Sequence, residues 1–261
     1  FDIPMAGRTY PGVSSISNTG LRVKSEAALQ FWKKRLHDLE VPHDEISEMF
    51  GRKTLYFEDF EGSRMRLVVD DGNGIPFGEP WIKEEISGEN AIVGLGPVTL
   101  TLKNPEPTKK VLEQVLGFTL IGSYRSAITD APDIQVYSVG KGGPAGEVHI
   151  ETREDLPRER PGRGSVHHVA FRIPHMDDYP KWEELLRAKG YTTSGLVDRH
   201  YFKAIYFREP NGILFELSTD EPGFDTDEKL ETLGETLALP PFLETRRTEI
   251  EAKLRPLSIN K

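Results

Sequence analysis

The sequence has 261 residues and a formal net charge of −9, from 33 Lys and Arg against 42 Asp and Glu. This acidic balance, without a basic stripe, argues against nucleic acid and anionic membranes as partners, and no apolar stretch approaches the roughly 20 residues that cross a bilayer. The absence of cysteine excludes a thiolate metal site and a cysteine nucleophile, and it is typical of a cytoplasmic protein.

The first predicted unit covers residues 1–70 and has the order strand, helix and three strands. Its helix is predicted from Ser25 to Leu39, with Ser25 as the N-cap and an apolar stripe along one face. Short apolar and β-branched runs predict the strands around this helix. Glycine, proline and acidic residues then indicate a linker over residues 71–96.

Two further units repeat the same order of elements. The second covers residues 97–152 and the third covers residues 166–220, and Gly117 and Gly190 are placed to end their helices. A linker rich in proline, arginine and glycine separates them at residues 153–165. Residues 221–261 form a polar tail with a predicted helix near residues 241–254. Repeats of this length indicate α+β modules rather than a solenoid.

The third unit carries two candidate metal ligands on predicted strands. Alternation along a strand over residues 167–173 separates His168 from the apolar side chains, and Glu216 lies between Phe215 and Leu217. A carboxylate in so apolar a strand requires a metal or another partner. Two histidines and one acid are the ligands of many non-haem Fe(II) sites. A hydrogen-bonded structural histidine and a surface salt bridge are the alternatives.

Alignment of the three units places Glu216 opposite Leu67 in the first unit and His149 in the second. Only the third unit offers an acid at this position, which favours a specific role for Glu216. His149 is either an alternative ligand or an ordinary strand residue.

The ordered repeat resembles a known superfamily. Together with His-His-Val-Ala-Phe at 167–171 and Phe-Glu-Leu-Ser at 215–218, it is similar to the vicinal oxygen chelate proteins, which include glyoxalase I, bleomycin-resistance proteins and extradiol dioxygenases. Segments 94–98, 160–164 and 239–244 resemble the hydroquinone-type ring-cleaving dioxygenases in particular. The resemblance covers nearly the whole chain and implies tandem β-α-β-β-β modules that form curved mixed sheets.

The resemblance also implies which residues hold a metal. His168 and Glu216 match the ligand positions for Fe(II), with Mn(II) as a second possibility. Enzymes of this kind have four modules, and the three units here resemble the last three. The third ligand would belong to a first module that this sequence does not contain. We therefore expect the chain by itself to hold metal weakly, because loss of a ligand lowers affinity.

Four other residues receive roles from the same resemblance. Tyr206 is implied to hydrogen-bond an oxygen at the metal, and His167 to manage protons or contact the substrate. Arg199 is implied to hold a substrate anion through charge-assisted hydrogen bonds, and His200, beside it in the predicted turn, is a further candidate for substrate binding. The alternatives are strand packing for Tyr206 and His167 and a solvated loop for Arg199.

The implied activity is the opening of a hydroquinone- or catechol-type diol with O₂ at a non-haem Fe(II) site, in a homo-oligomer. One alternative is a lyase or isomerase of the glyoxalase type, which uses Zn²⁺, Ni²⁺ or Mn²⁺ without O₂. Another is a metal-free protein that sequesters its ligand. The joint presence of His168, Glu216 and Tyr206 argues against this last reading, because sequestration requires none of them.

Overall fold

The computed structural model describes residues 5–80 and 82–255. Twelve strands and four α-helices occur in these ranges. The strands are β1 (Ser15–Val23), β2 (Ser47–Met49), β3 (Arg52–Glu58), β4 (Arg64–Val69), β5 (Ile92–Leu102), β6 (Thr119–Tyr124), β7 (Ile134–Ser138), β8 (Glu147–Thr152), β9 (Val169–Ile173), β10 (Val197–Asp198), β11 (Lys203–Arg208) and β12 (Leu214–Thr219). The helices are α1 (Glu26–Asp38), α2 (Glu106–Gln114), α3 (Tyr179–Ala188) and α4 (Arg247–Glu251).

The strands form two mixed sheets in an α+β architecture, as predicted. The larger sheet has the order β2-β3-β4-β1-β5-β8-β7-β6, and the smaller one has the order β10-β11-β12-β9. In each unit the first strand is parallel to the last, as β1 is to β4, β5 to β8 and β9 to β12. β1 and β5 pair antiparallel at the centre of the larger sheet. β9, which corresponds to them, lies at an edge of the smaller sheet.

Helices α1, α2 and α3 cover one face of each sheet. Ser25 caps α1 as predicted, since its side chain accepts a hydrogen bond from the backbone N–H of Ala28 at 3.2 Å. α2 and α3 share one apolar core with strands of both sheets, in which Leu100, Leu186 and Phe215 are fully buried. The opposite, concave faces are left to polar side chains. None of the helices in the described ranges is long and apolar enough to cross a membrane.

Several boundaries differ from the sequence-based prediction. Residues 92–96, predicted as linker, belong to β5 because pairing with β1 extends this strand. In the third unit, where three strands are predicted after the helix, residues 192–196 contribute only an isolated bridge at Thr193, since Gly195 adopts a left-handed φ of 72°. The predicted C-terminal helix divides into a 3₁₀ segment, Pro241–Arg246, and the short α4.

A buried carboxylate joins the second unit to the third. Glu209 is 2% exposed, and its Oε2 accepts a hydrogen bond from the Thr108 hydroxyl of α2 at 2.5 Å. Its Oε1 accepts one from the backbone N–H of Ile213 at 2.9 Å. Because the chain between Thr108 and Glu209 is long, this contact fixes the turn between β11 and β12 against a distant element.

We expect Glu209→Ala to lower the free energy of unfolding by about 2–3 kcal/mol, because it leaves buried donors without an acceptor. Urea unfolding followed by circular dichroism measures this loss. Glu184→Ala removes an exposed glutamate of α3 and should change the value by less than about 0.5 kcal/mol. Equal losses in both variants would contradict a specific role for Glu209.

Candidate active site

His168 and Glu216 converge on the concave face of the smaller sheet. His168 lies just before β9, so the predicted strand start at His167 is wrong by two residues. Glu216 pairs with Ala170 across the two parallel strands, which brings its carboxylate beside the imidazole. Nε2 of His168 lies 2.7 Å from Oε2 of Glu216, and the side chain of Glu216 is 4% exposed against 35% for His168.

Tyr206 completes this cluster from the neighbouring strand. It lies directly opposite Glu216 in the pairing of β11 with β12, and its hydroxyl donates a hydrogen bond to Oε1 of Glu216 at 3.0 Å. Burial raises the pKa of Tyr206; Arg199 acts to lower it and Glu216 to raise it further. The phenol therefore keeps its proton at neutral pH and acts as a donor.

His167 and Arg199 also lie at this site. Nδ1 of His167 is 3.0 Å from Nδ1 of His168, and the guanidinium carbon of Arg199 lies 5.3 Å from the ring centroid of Tyr206. Burial lowers the pKa of His167, and the nearby charges of His168 and Arg208 lower it further. The structure thus brings both residues within reach of a group bound at His168 and Glu216.

His200 belongs to a different set of contacts. Its Nε2 lies 3.4 Å from Oδ2 of Asp227, an oxygen that also accepts a hydrogen bond from Tyr201 at 3.0 Å. The backbone of His200 turns with a φ of 70°, and its N–H donates to Asp198 at 2.8 Å. This turn directs His200 toward the tail rather than toward Glu216, so the geometry gives no support to its predicted role in substrate binding.

The strand registers revise the alignment of the units. Thr99 pairs with His149 as Ala170 pairs with Glu216, so His149 is the counterpart of Glu216 in the second unit. In the first unit Gly20 pairs with Arg66, which makes Arg66 the counterpart. The predicted counterpart Leu67 is wrong, because it faces the helix-covered core.

His149 lies in the larger sheet and contacts a separate cluster. Its Nε2 is 3.1 Å from Glu147, its Nδ1 is 3.1 Å from the hydroxyl of Tyr124, and two nitrogens of Arg52 bind Glu147 at 2.8 and 3.0 Å. By the same registers, Asn18 and Pro97 stand where His168 stands in the third unit. Pro97 has no donor for a metal, and Arg66, the counterpart of Glu216 in the first unit, carries a positive charge, so this cluster does not fit a metal ion. Within the described part of the chain His149 also does not join His168 and Glu216 in a group that could hold one.

We expect His149 to make stability depend on pH. Burial lowers the pKa of His149 in the folded protein below the ordinary 6.5. As the pH falls below about 6.5, the imidazole is therefore protonated in the unfolded chain while it stays neutral in the folded one, and the free energy of unfolding decreases. Between about pH 7.5 and about pH 5.5, the free energy of unfolding of the wild type should therefore fall more than that of His149→Gln. His175→Gln, which removes an exposed histidine, should behave like the wild type. Parallel pH profiles for all three proteins would refute the expectation.

A cavity of about 740 Å³ reaches the edge of the candidate active site, although His168, Tyr206 and Glu216 are not among the residues that line it. Its lining includes His167, Arg208 and Leu214. Arg208 pairs with Leu214 one step along the strands from the Tyr206–Glu216 pair. Neither Arg208 nor Leu214 was predicted from the sequence as a site residue, although their spacing of two from Tyr206 and Glu216 places them on the same face.

The donors at this site suit a metal in part. An imidazole nitrogen and a carboxylate oxygen meet at one point, which supplies two members of a set of two histidines and one acid. No group of three histidine, aspartate or glutamate side chains placed to hold a metal occurs within residues 5–80 and 82–255.

Comparison with known proteins gives consistent matches. The Glyoxalase/Bleomycin resistance protein/Dioxygenase superfamily matches residues 94–217. MhqA of Bacillus subtilis (strain 168), whose name assigns it to the ring-cleaving dioxygenases, is 49% identical over 260 residues, which are 98% of this chain and 80% of that protein. The chlorohydroquinone/hydroquinone 1,2-dioxygenase of Sphingobium indicum is 32% identical over 229 residues, 85% of this chain and 67% of that protein.

A solved structure agrees with these matches. The crystal structure of a Bacillus subtilis protein described as a dioxygenase superposes with a TM-score of 0.86 at 33% identity, and the match covers 98% of this chain and 78% of that one. The similarity therefore spans both sheets and the site between β9, β11 and β12. The chain belongs to the glyoxalase/bleomycin resistance protein/dioxygenase superfamily and, within it, to the ring-cleaving dioxygenases.

Proposed function

We propose that this protein opens the ring of a hydroquinone- or catechol-type diol with O₂ at an Fe(II) site, for which Mn(II) is the second candidate. The observation that carries the proposal is the convergence of His168, Glu216 and Tyr206 on one concave face. The printed activity of the Sphingobium indicum relative, a hydroquinone 1,2-dioxygenase, supports the same substrate class.

His168 and Glu216 would hold the metal through Nε2 and the carboxylate. When bound, the ion would make a coordinated substrate hydroxyl more acidic and give O₂ access to the electron-rich ring. With Nε2 of His168 engaged, its Nδ1–H would donate to Nδ1 of His167, 3.0 Å away. Such a bond holds a ligating imidazole in one tautomer and orientation.

A strand that pairs with β9 would supply the third ligand. In the larger sheet β1 and β5 pair with each other, and Asn18 of β1 lies opposite Thr99. Thr99 corresponds to Ala170 in β9. If an added strand paired with β9 as β1 pairs with β5, its residue at the position of Asn18 would lie beside Ala170 on the concave side, next to His168 and Glu216. Another segment of the protein or a second copy of the chain could provide this strand. Sizing chromatography with and without metal distinguishes the two sources.

The remaining side chains would position the substrate and move protons. Tyr206, whose raised pKa keeps its proton in place, would donate to an oxygen of the reacting group. Arg199, held against the face of Tyr206, would hold the substrate anion by charge-assisted hydrogen bonds. His167, whose pKa is lowered, is neutral near pH 7 and, with its Nδ1 accepting from His168, would donate its Nε2–H to an oxygen of the substrate.

Oxygen uptake after anaerobic loading with iron tests the proposal. Hydroquinone or catechol should consume O₂ with formation of a ring-opened product, and 1,3-dihydroxybenzene, whose hydroxyls cannot form a quinone, serves as the control diol. Absence of uptake with every diol would defeat the proposal. Turnover of a thiol adduct with Zn²⁺ or Ni²⁺ would instead identify a lyase, and binding of a ligand that is unaffected by His168→Ala would identify a sequestering protein.

A further inference from the structure

The cavity bordered by His167, Arg208 and Leu214 has the size of a substrate pocket and adjoins the candidate metal ligands, which do not themselves line it. Its volume of about 740 Å³ lies within the range of about 300–1,000 Å³ that is usual for ligand sites. Leu214 lies two residues before Glu216 on the same face of β12, so it forms an apolar floor one step away from the carboxylate. An aromatic ring held at His168 and Glu216 can extend over this floor.

Arg208 lies on the neighbouring strand β11, at the level of Leu214. It lies opposite Leu214 in the strand pairing, as Tyr206 lies opposite Glu216. Two residues along a strand span about 7 Å, a length comparable with a benzene ring and the oxygens at its two ends. The side chain of Arg208 therefore borders the place where the distal end of a bound ring would lie.

Arg208 is an exposed residue at the end of β11, and within the described part of the chain it has no carboxylate partner. Its Nη1 donates a hydrogen bond to the carbonyl of Gly212 at 2.8 Å. Arg163, which also lines the cavity, is paired with Glu61 at 3.3 Å. Arg208 thus keeps donors for a ligand oxygen at the part of the cavity wall that β11 and β12 form.

We propose that Arg208 binds the distal oxygen of a para-diol whose first oxygen is held at His168 and Glu216, and that it selects hydroquinones over catechols. In a para-diol the two oxygens lie at opposite ends of the ring, so the second reaches Arg208. In catechol they lie on adjacent carbons, and the second stays near the first. This inference rests on the proposed function, because it assigns one substrate oxygen to the metal ligands.

Arg172 provides a matched control. It pairs with Ser218, two residues beyond Glu216 on the same face, so it flanks the carboxylate on the side opposite to Arg208. Arg172 is neutralised by an ion pair with Asp220 and does not line the cavity. Arg172→Gln and Arg208→Gln therefore remove the same charge at similar spacings from Glu216, and only the second removes a donor at the cavity wall.

The test measures calorimetric binding of hydroquinone, catechol and phenol without oxygen and with saturating Mn(II). Arg208→Gln should weaken hydroquinone binding roughly tenfold, as loss of a hydrogen bond to a charged group does, and leave catechol and phenol unchanged. Arg208→Lys should recover part of the loss, and Arg172→Gln should match the wild type. Equal weakening of all three ligands, no change, or no hydroquinone binding by the wild type would overturn the inference.

Oxygen uptake separates this inference from the proposed function. If Arg208 selects hydroquinone but no diol consumes O₂, the proposed function fails and the inference stands. If hydroquinone consumes O₂ and Arg208→Gln leaves its KM unchanged, the inference alone fails. In the expected result the KM for hydroquinone rises roughly tenfold in Arg208→Gln, while the KM for catechol does not change.

Discussion

Replacement of His168 by alanine should lower oxygen uptake with hydroquinone by more than about 100-fold, because even residues that only orient a metal ligand change activity by 10–100-fold. His168 offers the more accessible of the two donors that meet at 2.7 Å. Its loss leaves Glu216 buried without its imidazole partner. Elemental analysis of the iron-loaded protein should show a parallel loss of bound metal.

His175→Ala is the control for this experiment, since it removes an exposed histidine of the same unit and should leave uptake and metal content unchanged. Glu216→Gln should resemble His168→Ala, and the double variant should be no worse than either single one because the two residues act as a unit. If His168→Ala kept both its metal and its activity, His168 would not be a ligand of the proposed site.

Replacement of Tyr206 by phenylalanine should lower kcat by about 100-fold. This is the lower end of the rate effect that is usual when a proton-transferring group is lost. The ring and its contact with Arg199 remain in this variant, and only the hydroxyl that donates to Glu216 at 3.0 Å is lost. Metal content should stay the same, because a phenol with a raised pKa is a donor and not a ligand. Stopped-flow measurement of oxygen consumption gives kcat directly.

Tyr201→Phe removes a comparable hydroxyl from the turn before β11, where it donates to Asp227, and should leave kcat unchanged. A metal content that falls together with kcat in Tyr206→Phe would show that the tyrosine supports the ligands rather than the proton transfer. An unchanged kcat would show that the hydroxyl of Tyr206 has no part in catalysis and that the residue serves only in strand packing.

Features that depend on nearby residues could be predicted from the sequence. The cap at Ser25, the repeated order of strand and helix, and the orientation of His168 toward the face of Glu216 follow from propensity and from alternation along a strand. The pair His168 and Glu216 could be predicted as candidate ligands in the same way, because a histidine and an acid stand out in otherwise apolar strand segments. Boundaries were less accurate, since the extension of β5 to Ile92 depends on its distant partner β1.

The resemblance to ring-cleaving dioxygenases identified Tyr206 and Arg199, and the structure places both at the cluster. It also named His200, which the turn after Asp198 directs to Asp227 instead. A turn with a left-handed residue reverses the direction of a side chain within one position. Sequence spacing alone therefore cannot tell which of two adjacent residues faces the site.

The sequence by itself determined the kinds of chemistry available: an imidazole, a carboxylate and a phenol on strands of one unit, and no thiol. Only the tertiary structure decided which strands are neighbours and in what register. It joined the first two units through β1 and β5, separated His149 from Glu216, and placed Arg208 at the wall of a cavity. The physical reason is that alternation along a strand is local, whereas pairing between distant strands depends on the burial and packing of the whole core.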